Sequence, residues 1–129
     1  MKFIFDENLP PALAHSLNVL FKGDHQVFAL RDKFGKGVTD IEWITALSGE
    51  GGWVVISGDR RITRNKAESN VFRNSNLIGF FLSSGVYKSP IHKQAARLLV
   101  LWDDICGLAE RVQGGAMFEI RTKAKVSQL

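Results

Sequence analysis

The sequence has only one cysteine, Cys106, and three scattered histidines, His15, His25 and His92. A single cysteine excludes an internal disulfide and a zinc site built on cysteines, and it favours an intracellular, reducing compartment. No apolar run approaches the roughly 20 residues that span a bilayer, and no apolar signal core follows the N-terminus. We therefore expect a cytoplasmic protein without a membrane segment.

Composition bounds the number of domains and the kind of partner. The 129 residues are 45% hydrophobic and 23% charged, which is ordinary for a globular protein, and we predict a single domain over residues 1–129. The 17 basic and 13 acidic side chains give a net charge of +4 and a pI near 9.5. A basic surface favours anionic partners, nucleic acid first, although charge alone does not identify the partner.

Five apolar segments predict β-strands, and the segments between them have helical spacing. The strands are expected over residues 3–5, 25–30, 53–57, 77–82 and 118–126. Several of these segments are apolar at nearly every position, as in parallel sheets that are covered on both faces. The alternation of strands and helices predicts an α/β protein with a mostly parallel sheet and helices on both faces.

Three shorter features carry local predictions. Asn8 is expected to cap the first helix, ahead of two prolines in its first turn. Residues 31–38 contain two glycines and three basic residues and predict a loop. Residues 118–126 alternate between apolar and polar side chains, which predicts a half-exposed strand at an edge or end of the sheet.

Acidic residues follow or open elements at one predicted edge of the sheet. Asp6 and Asp59 come at the carboxyl ends of the first and third strands, and Asp40 lies at the start of a helix. Right-handed crossovers would bring these positions to the same edge. Carboxylates that lie close together usually hold a cation, and Mg²⁺ or Mn²⁺ suits a few carboxylates plus phosphate oxygens. The three aspartates are therefore our candidate catalytic residues and metal ligands, suited to hydrolysis of a phosphodiester.

Each acid also has a structural explanation. Asp6 could accept backbone N–H groups at the strand–helix turn, and Asp40 could favour the helix dipole without a metal. Glu7 should point away from Asp6 along the strand, so we expect it to support the ligands or to be structural. Glu42 fits a capping box with Thr39 better than it fits metal ligation.

A basic stretch follows Asp59. Residues 60–66 contain four positive charges and no negative one, and these belong to Arg60, Arg61, Arg64 and Lys66. Arginine and lysine at such a position would bind the phosphates of a nucleic acid. The alternative is a solvated basic surface, but next to an acidic metal site the phosphate-binding role gains weight.

Three motifs together resemble a known family. Asp-Glu-Asn-Leu-Pro at 6–10, Asp-Ile-Glu at 40–42 and Val-Val-Ile-Ser-Gly-Asp at 54–59 resemble the PIN-like domains related to VapC-type toxins and Mut7-C domains. The resemblance covers roughly residues 1–85 of the 129. It implies a three-layer α/β/α sandwich and a Mg²⁺- or Mn²⁺-dependent ribonuclease, with the three aspartates at the metal-binding positions. It also implies RNA as substrate, the role of toxin in a toxin–antitoxin pair with a cognate antitoxin as partner, and a homodimer, because relatives often dimerise.

One position departs from that family. Relatives often place a second acid two residues after the equivalent of Asp59, where this chain has Arg61. Glu42 or Glu68 would then substitute, or activity would be reduced or lost. Two other classes therefore stay open: a non-catalytic PIN-like module that binds RNA or protein, and a receiver-like phosphoacceptor domain with Asp59 as the acceptor.

Overall fold

The computed structural model describes residues 1–58, 61–122 and 126–129, with Arg61 described by its backbone only. Within these ranges, strands and helices alternate along the chain as predicted. The strands are β1 (Lys2–Phe5), β2 (Gln26–Ala29), β3 (Trp53–Ser57), β4 (Ile78–Leu82), β5 (Met117–Ile120) and β6 (Ser127–Gln128). The helices are α1 (Pro11–Leu20), α2 (Leu30–Phe34), α3 (Asp40–Glu50), α4 (Arg61–Arg64), α5 (Lys66–Arg73), α6 (Ser84–Tyr87) and α7 (Ile91–Arg111). Among these helices, none has the length and apolar character needed to cross a membrane.

The strands form one sheet in the order β2-β1-β3-β4-β5-β6. The first five strands in this order are parallel, and β6 runs antiparallel to β5 at the far edge. Phe5, at the end of β1, is opposite Ala29 on one side and Ile56 on the other. The prediction of a mostly parallel sheet is therefore confirmed, and the first and third strands are neighbours as expected.

Helices cover both faces of the sheet. Phe3 of β1 belongs to one core, together with Leu17 of α1 and Trp102 of α7. The next residue, Ile4, belongs to a second core with Trp43 of α3. Successive residues of a strand point to opposite faces, so each strand must be apolar at every position to fill both cores. The result is the predicted three-layer α/β/α sandwich.

The prediction of a half-exposed strand over residues 118–126 is wrong. β5 ends at Ile120, and all four of its residues are buried, because it pairs with a strand on each side and its side chains enter both cores. Glu119, which the alternation places on the solvent side, is only 6% exposed. The edge position belongs to β6 instead, and residues 123–125 of the predicted strand lie outside the described ranges.

Two local predictions are also wrong. The first residues of the predicted loop at 31–38 belong to helix α2 instead. This helix buries its first residue, Leu30, and it ends before Gly35, which has a φ of 77°. Asn8 does not cap α1, because Pro10 is the residue that precedes this helix and no side chain caps it. The side chain of Asn8 binds the end of β3 instead.

Candidate active site

The strand order reverses direction at β1. From β1 the chain moves to β2 on one side, and it later returns to β3 on the other side. In open parallel sheets, ligands bind outside the carboxyl ends of the strands at such a reversal. Asp6 directly follows β1, and Ser57 is the last residue of β3. The sheet therefore places the first predicted acid where this class of fold forms its ligand site.

Asp6 is buried, with 7% of its surface exposed, and hydrogen bonds fix its side chain. Oδ1 accepts from the backbone N–H of Glu7 at 2.7 Å, and Oδ2 accepts from Ser57 Oγ at 3.0 Å. The backbone N–H of Asp6 donates to the carbonyl of Ile56 at 2.9 Å, which extends the contact between β1 and β3 by one residue. A buried carboxyl group is costly unless it is hydrogen-bonded, so these donors hold it in a defined orientation. The backbone-acceptor role considered from the sequence is present, together with a second donor from β3.

Asn8 and Ser57 connect the two strand ends. Asn8 Oδ1 accepts from the Gly58 N–H at 2.9 Å, and Asn8 Nδ2 donates to Ser57 Oγ at 3.4 Å. Ser57 Oγ in turn donates to the carboxyl group of Asp6. Hydrogen bonds therefore run from the backbone of Gly58 through Asn8 and Ser57 to Asp6. Gly58, the residue that precedes Asp59 in the sequence, is fixed beside Asp6 in this way.

Asp40 lies at the same edge and on the same face of the sheet. It is the first residue of α3, and α3 packs on the face that contains Ile4. Side chains two residues apart on a strand share a face, so Asp6 continues the row of Ile4 on that side. Asp40 Oδ1 accepts from the indole N–H of the buried Trp43 at 2.9 Å. Asp40 thus has a structural partner in addition to its predicted role as a ligand.

The third predicted ligand, Asp59, lies outside the described residues. Over residues 1–58, 61–122 and 126–129, no group of three or more histidine, cysteine, aspartate or glutamate side chains could hold a metal ion. The described part of the chain includes two of the three predicted acids, and the sequence places the third directly after Gly58. The complete ligand set, Asp6, Asp40 and Asp59, therefore stays a prediction.

The other predicted acids make local backbone contacts. Glu7 is exposed, and Glu42 is exposed with its N–H donating to Thr39 Oγ1 at 3.2 Å, as the first half of the capping box requires. The N–H of Glu68, in the first turn of α5, donates to Asn65 Oδ1 at 3.1 Å. These bonds use the backbone and not the carboxyl groups, so the use of the Glu42 and Glu68 side chains as substitute ligands stays a prediction.

The basic stretch after β3 forms two short helices. Arg64 is the last residue of α4 and Lys66 is the first residue of α5, and both are exposed. Asn65, which lies between them, caps α5. Arg60 and the side chain of Arg61 lie outside the described ranges, and their phosphate contacts stay predictions.

The one cysteine and its histidine neighbour lie at the other edge of the sheet. Cys106 Sγ is 3.8 Å from Nε2 of His25, which precedes β2 at the amino end of the sheet. Burial raises the pKa of the Cys106 thiol to about 11 and lowers the pKa of His25. A thiol that is protonated at neutral pH is a poor nucleophile and a poor metal ligand. Asp6, directly after β1, and Asp40, at the start of α3, instead offer carboxylate oxygens, and these fit a hard cation such as Mg²⁺ or Mn²⁺.

Sequence patterns did not identify Ser57 or Asn8 as parts of this site. Ser57 is the single polar residue in the apolar run 53–57, and the pairing of β1 with β3 brings it opposite Asp6. A polar residue at the carboxyl end of an apolar strand is the signal that could have found it. Asn8 fits a helix cap equally well by sequence, so only the paired strands reveal its contact with Gly58.

Comparison with known proteins identifies the family. A family model described as "PIN like domain" matches residues 1–84, which is more than half of the 129 residues and includes β1 to β4. No curated protein and no solved structure matches the chain significantly. PIN-like domains are commonly nucleases, and they usually use divalent metal ions. The chain belongs to the family of PIN-like domains.

Proposed function

We propose that the protein is a metal-dependent endoribonuclease and that it acts as the toxin of a toxin–antitoxin pair. The observation that carries the proposal is the buried carboxyl group of Asp6, which Ser57 Oγ binds at 3.0 Å at the strand reversal of a PIN-like chain. Burying such a group opposes folding unless its partners compensate. The Glu7 N–H and Ser57 Oγ are such partners, and they hold the carboxyl group at the edge where this class of fold binds its ligands, as a metal ligand requires.

Asp6, Asp40 and Asp59 would hold a Mg²⁺ or Mn²⁺ ion. Such an ion, when bound, lowers the pKa of a coordinated water and neutralises negative charge on the reacting phosphate. The hydrogen bonds from Ser57 Oγ to Asp6 and from Trp43 Nε1 to Asp40 would orient these two ligands. Hydrogen bonds of this kind, one step out from a metal, change metal affinity by about 10- to 100-fold when they are removed.

The substrate would be RNA, bound through its phosphates. The exposed Arg64 and Lys66 lie on the stretch that leaves β3, next in sequence to Arg60 and Arg61. Basic side chains at this point would position a phosphodiester against the acidic site. Hydrolysis would leave a 5′-phosphate and a 3′-hydroxyl.

An antitoxin would block the same edge of the sheet. It could cover the carboxyl ends of β1 and β3, or it could insert a positive side chain among the acids. The toxin role and a homodimer are proposed from the family resemblance alone.

The test is cleavage of total RNA, transfer RNA included, with Mg²⁺ or Mn²⁺ and with a chelator. We compare the parent protein with Asp6→Asn and with Asp103→Asn, which removes the charge of an exposed carboxylate on α7. We expect cleavage that needs the metal, falls at least about 100-fold in Asp6→Asn and is unchanged in Asp103→Asn. Thermal unfolding of each variant separates loss of activity from loss of folding.

Other outcomes favour the other two classes. A folded parent protein that neither cleaves RNA nor binds Mn²⁺ would identify a non-catalytic module and would point to Arg61 as the reason. Transfer of a phosphoryl group from acetyl phosphate to Asp59 would identify a receiver-like domain. Unchanged cleavage by Asp6→Asn would refute the site assignment.

A further inference from the structure

A second group of basic residues lies beyond the part of the chain that matches the family. Residues 83–97 contain three basic residues and no acid, namely Lys88, Lys93 and Arg97, and the segment that follows β5 begins with Arg121 and also contains no acid. Lys88 and Lys93 are exposed, and the side chain of Arg121 is 53% exposed. These four residues, called the basic strip below, carry charge of one sign only.

The basic strip lies at the same edge of the sheet as Asp6. Arg97 Nε, in the first half of α7, donates to the carbonyl of Arg121 at 2.6 Å. The N–H of Ser83, directly after β4, donates to the carbonyl of Ile120 at 2.8 Å. These bonds fix Arg97 and Arg121 at the carboxyl ends of β4 and β5. Three strand spacings separate β1 from β5, which is roughly 14 Å.

A buried acid orients Arg121. Glu119 Oε1 accepts from Arg121 Nε at 2.8 Å, and the side chain of Glu119 is 8% exposed. Glu119 is opposite Phe81, and Phe81 is opposite Ser57, so this acid lies in the row of side chains that contains the Ser57 contact to Asp6. An arginine that is already held in one geometry loses less conformational entropy when it binds a phosphate.

Helix α6 connects the acidic site with the basic strip. A Cβ atom at Gly58 would overlap the ring of Tyr87, and a Cβ atom at Gly85 would lie 2.9 Å from Thr122 Cγ2. Gly85 and Tyr87 both belong to α6, so this short helix packs against the residue that follows β3 and against the segment that follows β5. Helix α6 therefore packs between the residue that follows β3 and the segment that begins with Arg121.

We infer that the basic strip binds the phosphate backbone of the RNA substrate on the β4–β5 side of the acidic site. The inference rests on the proposed function. A single strand that reaches Asp6 would cross α6 and contact Arg121 and Arg97. Contacts to phosphates do not read the sequence, so the strip adds affinity and fixes the direction of the strand rather than selecting bases.

The test measures binding of a fluorescent single-stranded RNA of about 12 nucleotides, with chelator present, from roughly 50 to 200 mM salt. Arg121→Gln is compared with Arg73→Gln, because Arg73 is exposed and ends α5 next to Gly115 at the amino end of β5. We expect Arg121→Gln to weaken binding about tenfold and to lower the salt slope by about 0.7, while Arg73→Gln changes neither.

A second pair of variants avoids any effect on folding. Arg121→Gln removes one partner of the buried Glu119 and could destabilise the protein, whereas Lys88 and Lys93 are exposed. Lys88→Gln/Lys93→Gln should lower the salt slope by about 1.4. Lys22→Gln/Arg73→Gln removes the same charge from exposed positions at the amino edge and should leave the slope unchanged.

The outcomes separate this inference from the proposed function. The variants of the basic strip and the control variants at the amino edge could weaken RNA binding equally, or neither set could weaken it. In either case the basic strip is not a substrate contact. Cleavage that still depends on Asp6 would then leave the proposed function standing. A parent protein that neither binds nor cleaves RNA would overturn both.

Discussion

The side chain of Asn8 binds the backbone of Gly58, 50 positions further along the sequence. Asn8 Oδ1 accepts from the Gly58 N–H at 2.9 Å, and its Nδ2 donates to Ser57 Oγ at 3.4 Å. Gly58 is buried, and a buried backbone N–H needs a partner. The Asp-Glu-Asn stretch thus supplies both an acid, Asp6, and the bond that fixes the end of β3 beside that acid.

Replacement of Asn8 by alanine should affect stability and activity together. Asn8→Ala removes the acceptor for the buried Gly58 N–H, which should lower the free energy of unfolding by about 1–3 kcal/mol. It also releases the residue before Asp59, the proposed third ligand. A misplaced catalytic group lowers the reaction rate, so RNA cleavage should fall at least about tenfold. Urea unfolding and initial cleavage rates measure the two effects.

Asn18 provides a matched control for this variant. Asn18 Oδ1 accepts from the Val27 N–H at 2.9 Å, so it is also an asparagine that binds the backbone of a strand, but this strand is β2. Asn18→Ala should lower stability by a similar amount and should leave the cleavage rate of the folded protein unchanged. If both variants lose activity in proportion to stability, Asn8 has only a structural role.

Replacement of Ser57 by alanine should weaken metal binding. Ser57 is fully buried, and its Oγ is a donor to Asp6 Oδ2 at 3.0 Å. Without this bond the carboxyl group is less well oriented, and the affinity for Mn²⁺ should fall about tenfold. Calorimetric titration with Mn²⁺ measures the change. Ser75→Ala removes a hydroxyl that donates to the Phe72 carbonyl and should leave Mn²⁺ affinity unchanged, so an equal loss in both variants would contradict the role of Ser57.

The layered fold could be predicted from the sequence because a sheet that is buried on both faces requires strands that are apolar at nearly every position. Residues 53–56, for example, are apolar at every position, and the strand–helix alternation allows few arrangements of a parallel sheet. The same reasoning placed Asp6 and the end of β3 at one edge of the sheet, because the carboxyl ends of parallel strands lie at the same edge. The family motifs added the chemistry that periodicity cannot supply.

The failures came where the residues that bury a side chain or bind it lie far away in the sequence. Glu119 alternates with apolar neighbours as an exposed residue would, but a strand on each side of β5 buries it and Arg121 compensates its charge. Asn8 has the residue type and position of a helix cap, but its partner is Gly58, directly after β3. Both contacts depend on strand order, which local patterns do not encode.

The stability of the protein should fall at high pH because of Cys106. Burial raises the pKa of this thiol from 9.0 to about 11 in the folded protein. Below pH 9.0 the thiol is protonated in both states, but above it the unfolded chain loses the proton first and is stabilised. The free energy of unfolding should therefore fall as the pH rises from 9.0 to about 11, and this component should be absent in Cys106→Ala. Urea unfolding over this pH range measures the difference, and identical pH profiles would show that Cys106 makes no contribution.

Replacement of Gly58 by alanine should destabilise the contact between β3 and α6. A Cβ atom at Gly58 would lie 2.6 Å from Tyr87 Cδ1 and 2.9 Å from Leu9 Cδ2, which is closer than real side chains approach. The neighbours must move, and overpacking of this kind costs about 1–3 kcal/mol. Because the Tyr87 ring is the nearest obstacle, the cost of Gly58→Ala should be smaller in a Tyr87→Ala background. Denaturant unfolding of the parent, both single variants and the double variant measures this coupling. Additive effects would mean that the Tyr87 ring does not limit the space at Gly58. They would contradict a packing contact between α6 and the residue that follows β3.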